Sequence, residues 1–195
     1  MKNQVWTGNS VSWNKIGGYS SHAIGDREVN DYYATDPIAI SKLLDKETFT
    51  DNIWEPACGE GHISKRLTEL GKSVYSTDLI YRGFGDGQID FLNCELMNTC
   101  DIITNPPFKY AEQFIRTAIN KTTGKVAMLL RIQFLEGISR GKLYKEFPPK
   151  TVYVFSKRLD CPKNGDFVKN NGGAICYAWF VWEKGYAGKP TIDWI

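Results

Sequence analysis

Two histidines, His22 and His62, and five cysteines with no CxxC spacing leave this chain little with which to hold a transition metal, so no metal site is expected. The odd cysteine number argues against a disulfide framework, and a reducing cytoplasm is the natural setting. No apolar run approaches the length of a membrane span, and the N-terminus has no apolar core of a secretory signal. Internal repeats and low-complexity tracts are absent as well. The turn Gly59-Glu60-Gly61 lacks the third glycine of a dinucleotide fingerprint and the lysine of a P-loop, so it is not built around a pyrophosphate.

What is present is an ordinary soluble composition rich in aromatics, in 195 residues, enough for one domain with a proper core. Its net charge of +2 hides an asymmetry. Residues 1–120 carry 11 Lys+Arg against 16 Asp+Glu, a balance of −5, and residues 121–195 carry 13 against 6, a balance of +7. A basic last part suits a polyanion, with solvated surface lysines as the alternative.

The most telling stretch is Asp101-Ile102-Ile103-Thr104-Asn105-Pro106-Pro107-Phe108. Its first half reads as a short buried strand. Its two prolines then remove two backbone donors and fix φ twice, so the chain leaves the sheet on a rigid path. There Asn105 Oδ1 and the Pro106 carbonyl can accept both hydrogens of one exocyclic amine, and Phe108 can stack on the ring that bears it. A plain proline-rich strand-to-helix turn is the alternative.

Around it the chain alternates strands and helices. Residues 1–30, with Trp6, Trp13 and Tyr19, read as an irregular arm that covers the core or packs over a ligand. Asp36 or Thr35 suits an N-cap and Pro37 the first position of a helix that ends near Asp45-Lys46. Asn52–Glu55 reads as a strand running into Pro56-Ala57-Cys58-Gly59-Glu60-Gly61, with a helix Ile63–Leu70 closed by Gly71. Ser73–Asp78 ends in an acid 23 residues after Glu55, a position suited to two ribose hydroxyls or to a solvent-facing loop. Asp90 beside an apolar neighbour suits an adenine amine and ring. Tyr110–Ala118 has helical spacing, Val126–Leu130 reads as an interior parallel strand, and a short polar helix around Leu143-Tyr144-Lys145 precedes Pro148-Pro149. Two tail strands follow, Thr151–Phe155 and Ala174–Trp182. Between them, residues 156–173 form a long basic loop with Lys157, Arg158, Lys163 and Lys169 for phosphates and Asn164, Asn170 and Asn171 for base edges.

Glu55-Pro56-Ala57-Cys58-Gly59-Glu60-Gly61, followed 50 residues later by Asn105-Pro106-Pro107-Phe108, resembles amino-methylating S-adenosylmethionine-dependent DNA methyltransferases, and among them the small phage-encoded, Dam-like N6-adenine group. The likeness extends to Asp26–Pro37 and Tyr177–Trp182, most of the chain. It implies an α/β, Rossmann-like domain over residues 1–195, with a seven-stranded, mostly parallel sheet, one antiparallel strand and helices on both faces. It implies that Tyr33, Ala34 and Thr35 with the turn through Glu55, Ala57, Gly59 and Gly61 surround the methionine part of the cofactor. Asp78 with Leu79 would hold the ribose, Asp90 with Phe91 the adenine, and Asn105, Pro106, Pro107 and Phe108 the target adenine of DNA in the host cytoplasm. Cys58 is then a small turn residue, not a nucleophile. Only 87 residues follow Phe108, which leaves no room for a large target-recognition domain. Enzymes that methylate RNA guanine amines or a protein glutamine share the Asn-Pro-Pro-aromatic turn and form one alternative. A non-catalytic DNA-binding relative forms another.

Overall fold

The computed structural model describes residues 32–96, 100–161 and 175–195. The N-terminal arm and most of the basic tail loop, with Lys163, Asn164, Lys169, Asn170 and Asn171, lie outside the described residues.

Seven strands form one sheet: β1 Asn52–Glu55, β2 Ser73–Ser76, β3 Asp101–Thr104, β4 Lys125–Arg131, β5 Thr151–Val154, β6 Tyr177–Glu183 and β7 Thr191–Trp194. Their spatial order is β2-β1-β3-β4-β6-β5-β7. All neighbours pair in parallel except β6, which runs antiparallel to both β4 and β5. The expected doubly wound, mostly parallel architecture is what the chain adopts, and its seventh strand is one the residue pattern did not single out. Thr191-Ile192-Asp193-Trp194 is an outer strand with little burial, so it lacks the apolar alternation that marks a core strand.

Burial on both faces explains the near-continuous apolar character of the inner strands. On one face Trp54, Ile102, Met128 and Phe180 pack with Phe114 and Ile115 of α3 (Ala111–Lys121) and Leu143 of α4 (Ile138–Glu146). On the other Ile53, Ile103, Leu129 and Trp179 pack with Ile40 and Leu43 of α1 (Ile38–Leu44) and Ile63 and Leu67 of α2 (His62–Glu69). Adjacent residues of β3, Ile102 and Ile103, thus face opposite layers, as a two-residue period requires. Residue 37 lies just before α1, and Asp36 Oδ1 accepts the Ile38 N–H at 2.9 Å as the expected cap. Gly71, at φ 85°, follows α2 in the left-handed conformation its role as a stop requires.

The N-terminal ends of the strands are tied by one carboxylate. Asp101, 2 % exposed, accepts the Thr50 N–H on Oδ2 and the Lys125 N–H on Oδ1, each at 2.6 Å. It thereby joins the chain entering β1 to the first residue of β4. Asp101→Asn sets an amide N–H against one of those two donors whichever way it turns. The substitution should cost about 1.5–3 kcal/mol, read as a lower denaturant midpoint at unchanged m-value.

Candidate active site

In an open sheet of this kind, ligands bind outside the carboxyl ends of the strands where the chain order reverses. Here β1 leads outward to β2 on one side, while β3 and β4 follow on the other, so the reversal lies between β1 and β3. The turn at Gly59-Glu60-Gly61 leaves β1, and Asn105-Pro106-Pro107-Phe108 leaves β3. The topology therefore seats both motifs at one crevice.

Gly59 and Gly61 adopt φ of 55° and 81°, conformations side chains rarely take. A Cβ on Gly59 would collide with the ring of Tyr32, and one on Gly61 with the ring of Phe84. The turn is bare backbone with two aromatic side chains lying on it. Arg82 stacks on Tyr32 with its guanidinium carbon 4.7 Å from the ring centroid. Cation–π contacts and glycine-dependent close approach leave no pattern in sequence, so the places of Tyr32 and Phe84 emerge only from the fold. Asp78 closes the turn: Oδ2 accepts the Gly59 N–H at 2.8 Å and Oδ1 the Ile80 N–H at 2.9 Å. Each oxygen keeps a lone pair for a further donor. Leu79 beside it is 60 % exposed.

Three cofactor expectations meet a different environment. Glu55 is 1 % exposed and lies beneath the turn, its carboxylate accepting from the Ser64 hydroxyl, which also meets Ser76 Oγ at 2.6 Å. Phe91 requires correction. Its ring is buried in the core, 5.1 Å edge-on from Trp54 and 5.0 Å from Phe114, with no face left for a ligand. Its apolar character, read as a ring platform, instead fills the layer above β1. Asp90 closes a local turn, accepting the Leu92 N–H at 3.0 Å and the Asn93 amide at 2.7 Å.

The Asn105 carboxamide is fixed by its own donors. Its Nδ2 donates to the Tyr33 carbonyl at 3.2 Å and to Thr35 Oγ1 at 3.0 Å. Thr35 is thus drawn to Asn105 rather than to the helix cap. With the amide so oriented, Oδ1 points the other way, buried and without a hydrogen-bond partner. Pro106 is buried beside it, and Pro107, at ψ 121°, delivers the chain into a 3₁₀ turn Phe108–Tyr110. The half-buried Phe108 ring lies 5.3 Å from Tyr33 and 6.1 Å from Tyr177. A buried acceptor left unpaired is costly. Among the described residues five side chains carry a buried polar atom, donor or acceptor, without a partner, and four of them, Thr104, Asn105, Arg131 and Asp160, follow or end strands at this crevice side. Asp160 is tied there through its carbonyl, which accepts the Asp36 N–H at 3.3 Å. Of the tail-loop residues within the description, Lys157 and Arg158 are exposed, just before that tie.

Burial together with the charges of Glu55 and Asp78 pushes the Cys58 thiol up to about 12, so it stays protonated and is no nucleophile. No group of histidine, cysteine or carboxylate side chains among the described residues could hold a metal ion. No helix there is long and apolar enough to cross a membrane.

No family model matches the sequence, and no curated protein matches it significantly. Solved structures do. A protein from Vibrio vulnificus described as a modification subunit of a type I restriction enzyme superposes with a TM-score of 0.60 at 14 % identity over 88 % of this chain and 48 % of its own, so this chain spans about half of its length. A protein from Pyrococcus horikoshii described as an RNA methyltransferase gives 0.59 at 17 % identity, over 91 % and 99 % of the two chains. A Lactococcus lactis protein described as a hemolysin gives 0.59 at 14 % identity, over 80 % and 91 %. The fold is that of the Rossmann-like methyltransferases. At these identities the likeness is one of fold, and one fold carries several activities.

The Glu55 carboxyl is held well above the ordinary carboxylate range, chiefly by burial, with the Ser64 hydrogen bond opposing and the Asp78 charge adding. The folded state therefore keeps this proton to higher pH than the unfolded state. The resulting stability is complete below the unfolded value of about 4.3 and is lost as pH rises through the folded one. Glu55→Gln keeps the shape and an acceptor for Ser64 but has nothing to ionise. Relative to wild type its Tm should rise as pH is raised above the unfolded value of about 4.3, by about 2–4 °C for each kcal/mol removed. A difference that stays constant with pH would show that Glu55 does not titrate in this environment.

Proposed function

We propose that this chain is a single-domain methyltransferase that moves a methyl group from S-adenosylmethionine to the exocyclic N6 amine of adenine in DNA. The observation that carries this reading is the Asn105 carboxamide, whose donors are both engaged and whose Oδ1 is a buried acceptor with no partner. An exocyclic amine is the group such an acceptor suits, and Phe108 beside it suits the ring that bears the amine. The remaining acceptor capacity of Asp78 and the exposed Leu79 fit the cofactor beside the Gly59–Gly61 turn on which Tyr32 and Phe84 lie, with Tyr33 and Thr35 at the boundary of the two subsites. Likeness to the restriction-modification subunit supports DNA as the substrate, and the basic segment that begins at Lys157 and Arg158 supports a polyanion.

When bound, S-adenosylmethionine supplies a methyl group on a sulfonium, whose C–S bond breaks with its electron pair onto sulfur as the amine lone pair takes the carbon. The residues here serve that transfer by alignment and by charge. The adenine amine is a poor nucleophile because its lone pair is delocalised into the ring. Asn105 Oδ1 and the Pro106 carbonyl, accepting from its two hydrogens, favour a pyramidal nitrogen and stabilise the positive charge that develops on it. The methylated nitrogen then sheds one proton to solvent. Drawing the base out of a duplex costs roughly a few kcal/mol, of which stacking on Phe108 returns about 1–3 kcal/mol. An RNA base amine is the second reading, favoured by likeness to the protein described as an RNA methyltransferase.

Asn105→Ala should lower transfer on the order of 10²-fold or more while leaving S-adenosylmethionine affinity nearly intact. Asp78→Ala should do the reverse, weakening cofactor binding by about 1.5–3 kcal/mol. Single-turnover transfer and calorimetry separate the two effects. Undiminished turnover by Asn105→Ala would remove the basis of this reading.

A further inference from the structure

The Phe108 ring carries a third neighbour. Arg131, the last residue of β4, sets its guanidinium carbon 4.5 Å from the ring centroid. Among the described residues no carboxylate lies within ion-pair distance of it, and its Nε is buried without a hydrogen-bond partner. Tyr177 faces Arg131 across the β4–β6 ladder. Three groups therefore enclose Phe108: Tyr33, Tyr177 and the guanidinium. A base that stacks on Phe108 within reach of Asn105 has to displace one of them.

The costs differ. Tyr177 is 4 % exposed and part of the core on the face lined by α1 and α2. Tyr33 is anchored at its backbone, where its carbonyl accepts from the Asn105 amide, and its ring meets Phe108 at a tilt rather than covering a face. Arg131 is long and unbranched and has no ion partner to lose. Nor can it stay during transfer, because a fixed positive charge beside an amine that is itself becoming positive raises the barrier. Once displaced, an unpaired guanidinium at the mouth of the crevice matches a phosphate, to which it can donate two parallel hydrogen bonds.

We propose that Arg131 holds the stacking face of Phe108 in the substrate-free protein and swings onto the phosphate beside the target nucleotide when the base enters. The inference rests on the reading of Asn105 as the holder of the target amine. It makes base capture conditional on a phosphodiester backbone, so the substrate is a nucleic acid strand. A free nucleoside or a protein glutamine lacks the anion that would draw the guanidinium away.

The test is binding, measured by fluorescence anisotropy across a salt series, of a single-stranded DNA oligonucleotide with one adenine. A matched oligonucleotide carries uncharged methylphosphonates on both sides of that adenine. Relative to wild type, Arg131→Ala should bind the plain strand on the order of tenfold more weakly, with the salt slope shallower by about 0.7. The methylphosphonates should bring wild type to the level of Arg131→Ala and leave the variant unchanged. Arg131→Lys should keep the slope. Parallel salt lines for wild type and Arg131→Ala, or equal weakening of both by the methylphosphonates, would overturn the proposal. If Arg131→Ala does not fold, wild type alone decides, since indifference to the methylphosphonates also overturns it. All of these are binding measurements. A wild type that binds but transfers no methyl group would count against the proposed function and leave the Arg131 comparison readable.

Discussion

The Asn105 carboxamide can face only one way. Its two donors meet a carbonyl and a hydroxyl, Tyr33 O and Thr35 Oγ1, so its oxygen is turned away from both as a buried acceptor without a partner. The arrangement depends on the segment before α1 being held against the end of β3. The Asp36 N–H on the Asp160 carbonyl holds the segment itself, and the buried indole of Trp179, which donates to the Ala39 carbonyl at 3.0 Å, holds the first turn of α1 behind it. The orientation of one side-chain amide thus draws on α1, β3, β6 and the chain leaving β5. The two prolines after Asn105 keep the far side of the turn from relaxing.

The two ends of the sheet differ in how they treat polar groups. At the N-terminal ends of β1, β3 and β4, buried acids are satisfied. Asp101 accepts two backbone N–H groups, and Glu47 accepts from the Tyr153 hydroxyl and the Lys125 ammonium, each at 2.8 Å. At the opposite ends Thr104, Asn105 and Arg131 each keep a buried atom unpartnered. Buried unpaired polar atoms oppose folding, so the satisfied end supplies stability and the unsatisfied end is poised for a ligand.

Much of this was legible in the sequence because it rests on local pattern. Apolar runs such as Val126–Leu130 mark strands covered on both faces, and the two turns with unusual chemistry follow the strands that flank the reversal of chain order. What escaped depends on contacts between distant residues. Thr35 has the composition of a helix cap, and only the fold brings Asn105 to it from 70 residues away. Phe91 stands next to a strand-end acid and reads as a platform, yet packing needs its ring beneath Trp54. The outer strand β7 is four residues long and mostly exposed, so it offers no periodicity. Arg131 reads as the polar end of a buried strand, and its position over Phe108 follows from the parallel pairing of β3 with β4.

The reading of Asn105 as an amine acceptor is tested most directly by the identity of the product. Wild-type protein would be incubated with methyl-labelled S-adenosylmethionine and, separately, with DNA, RNA and protein pools, each then hydrolysed to nucleosides or amino acids. The expected result is label in N6-methyl-deoxyadenosine from the DNA pool. Label on carbon, oxygen or sulfur of any acceptor, or no transfer to an amine in any of the three pools, would contradict it.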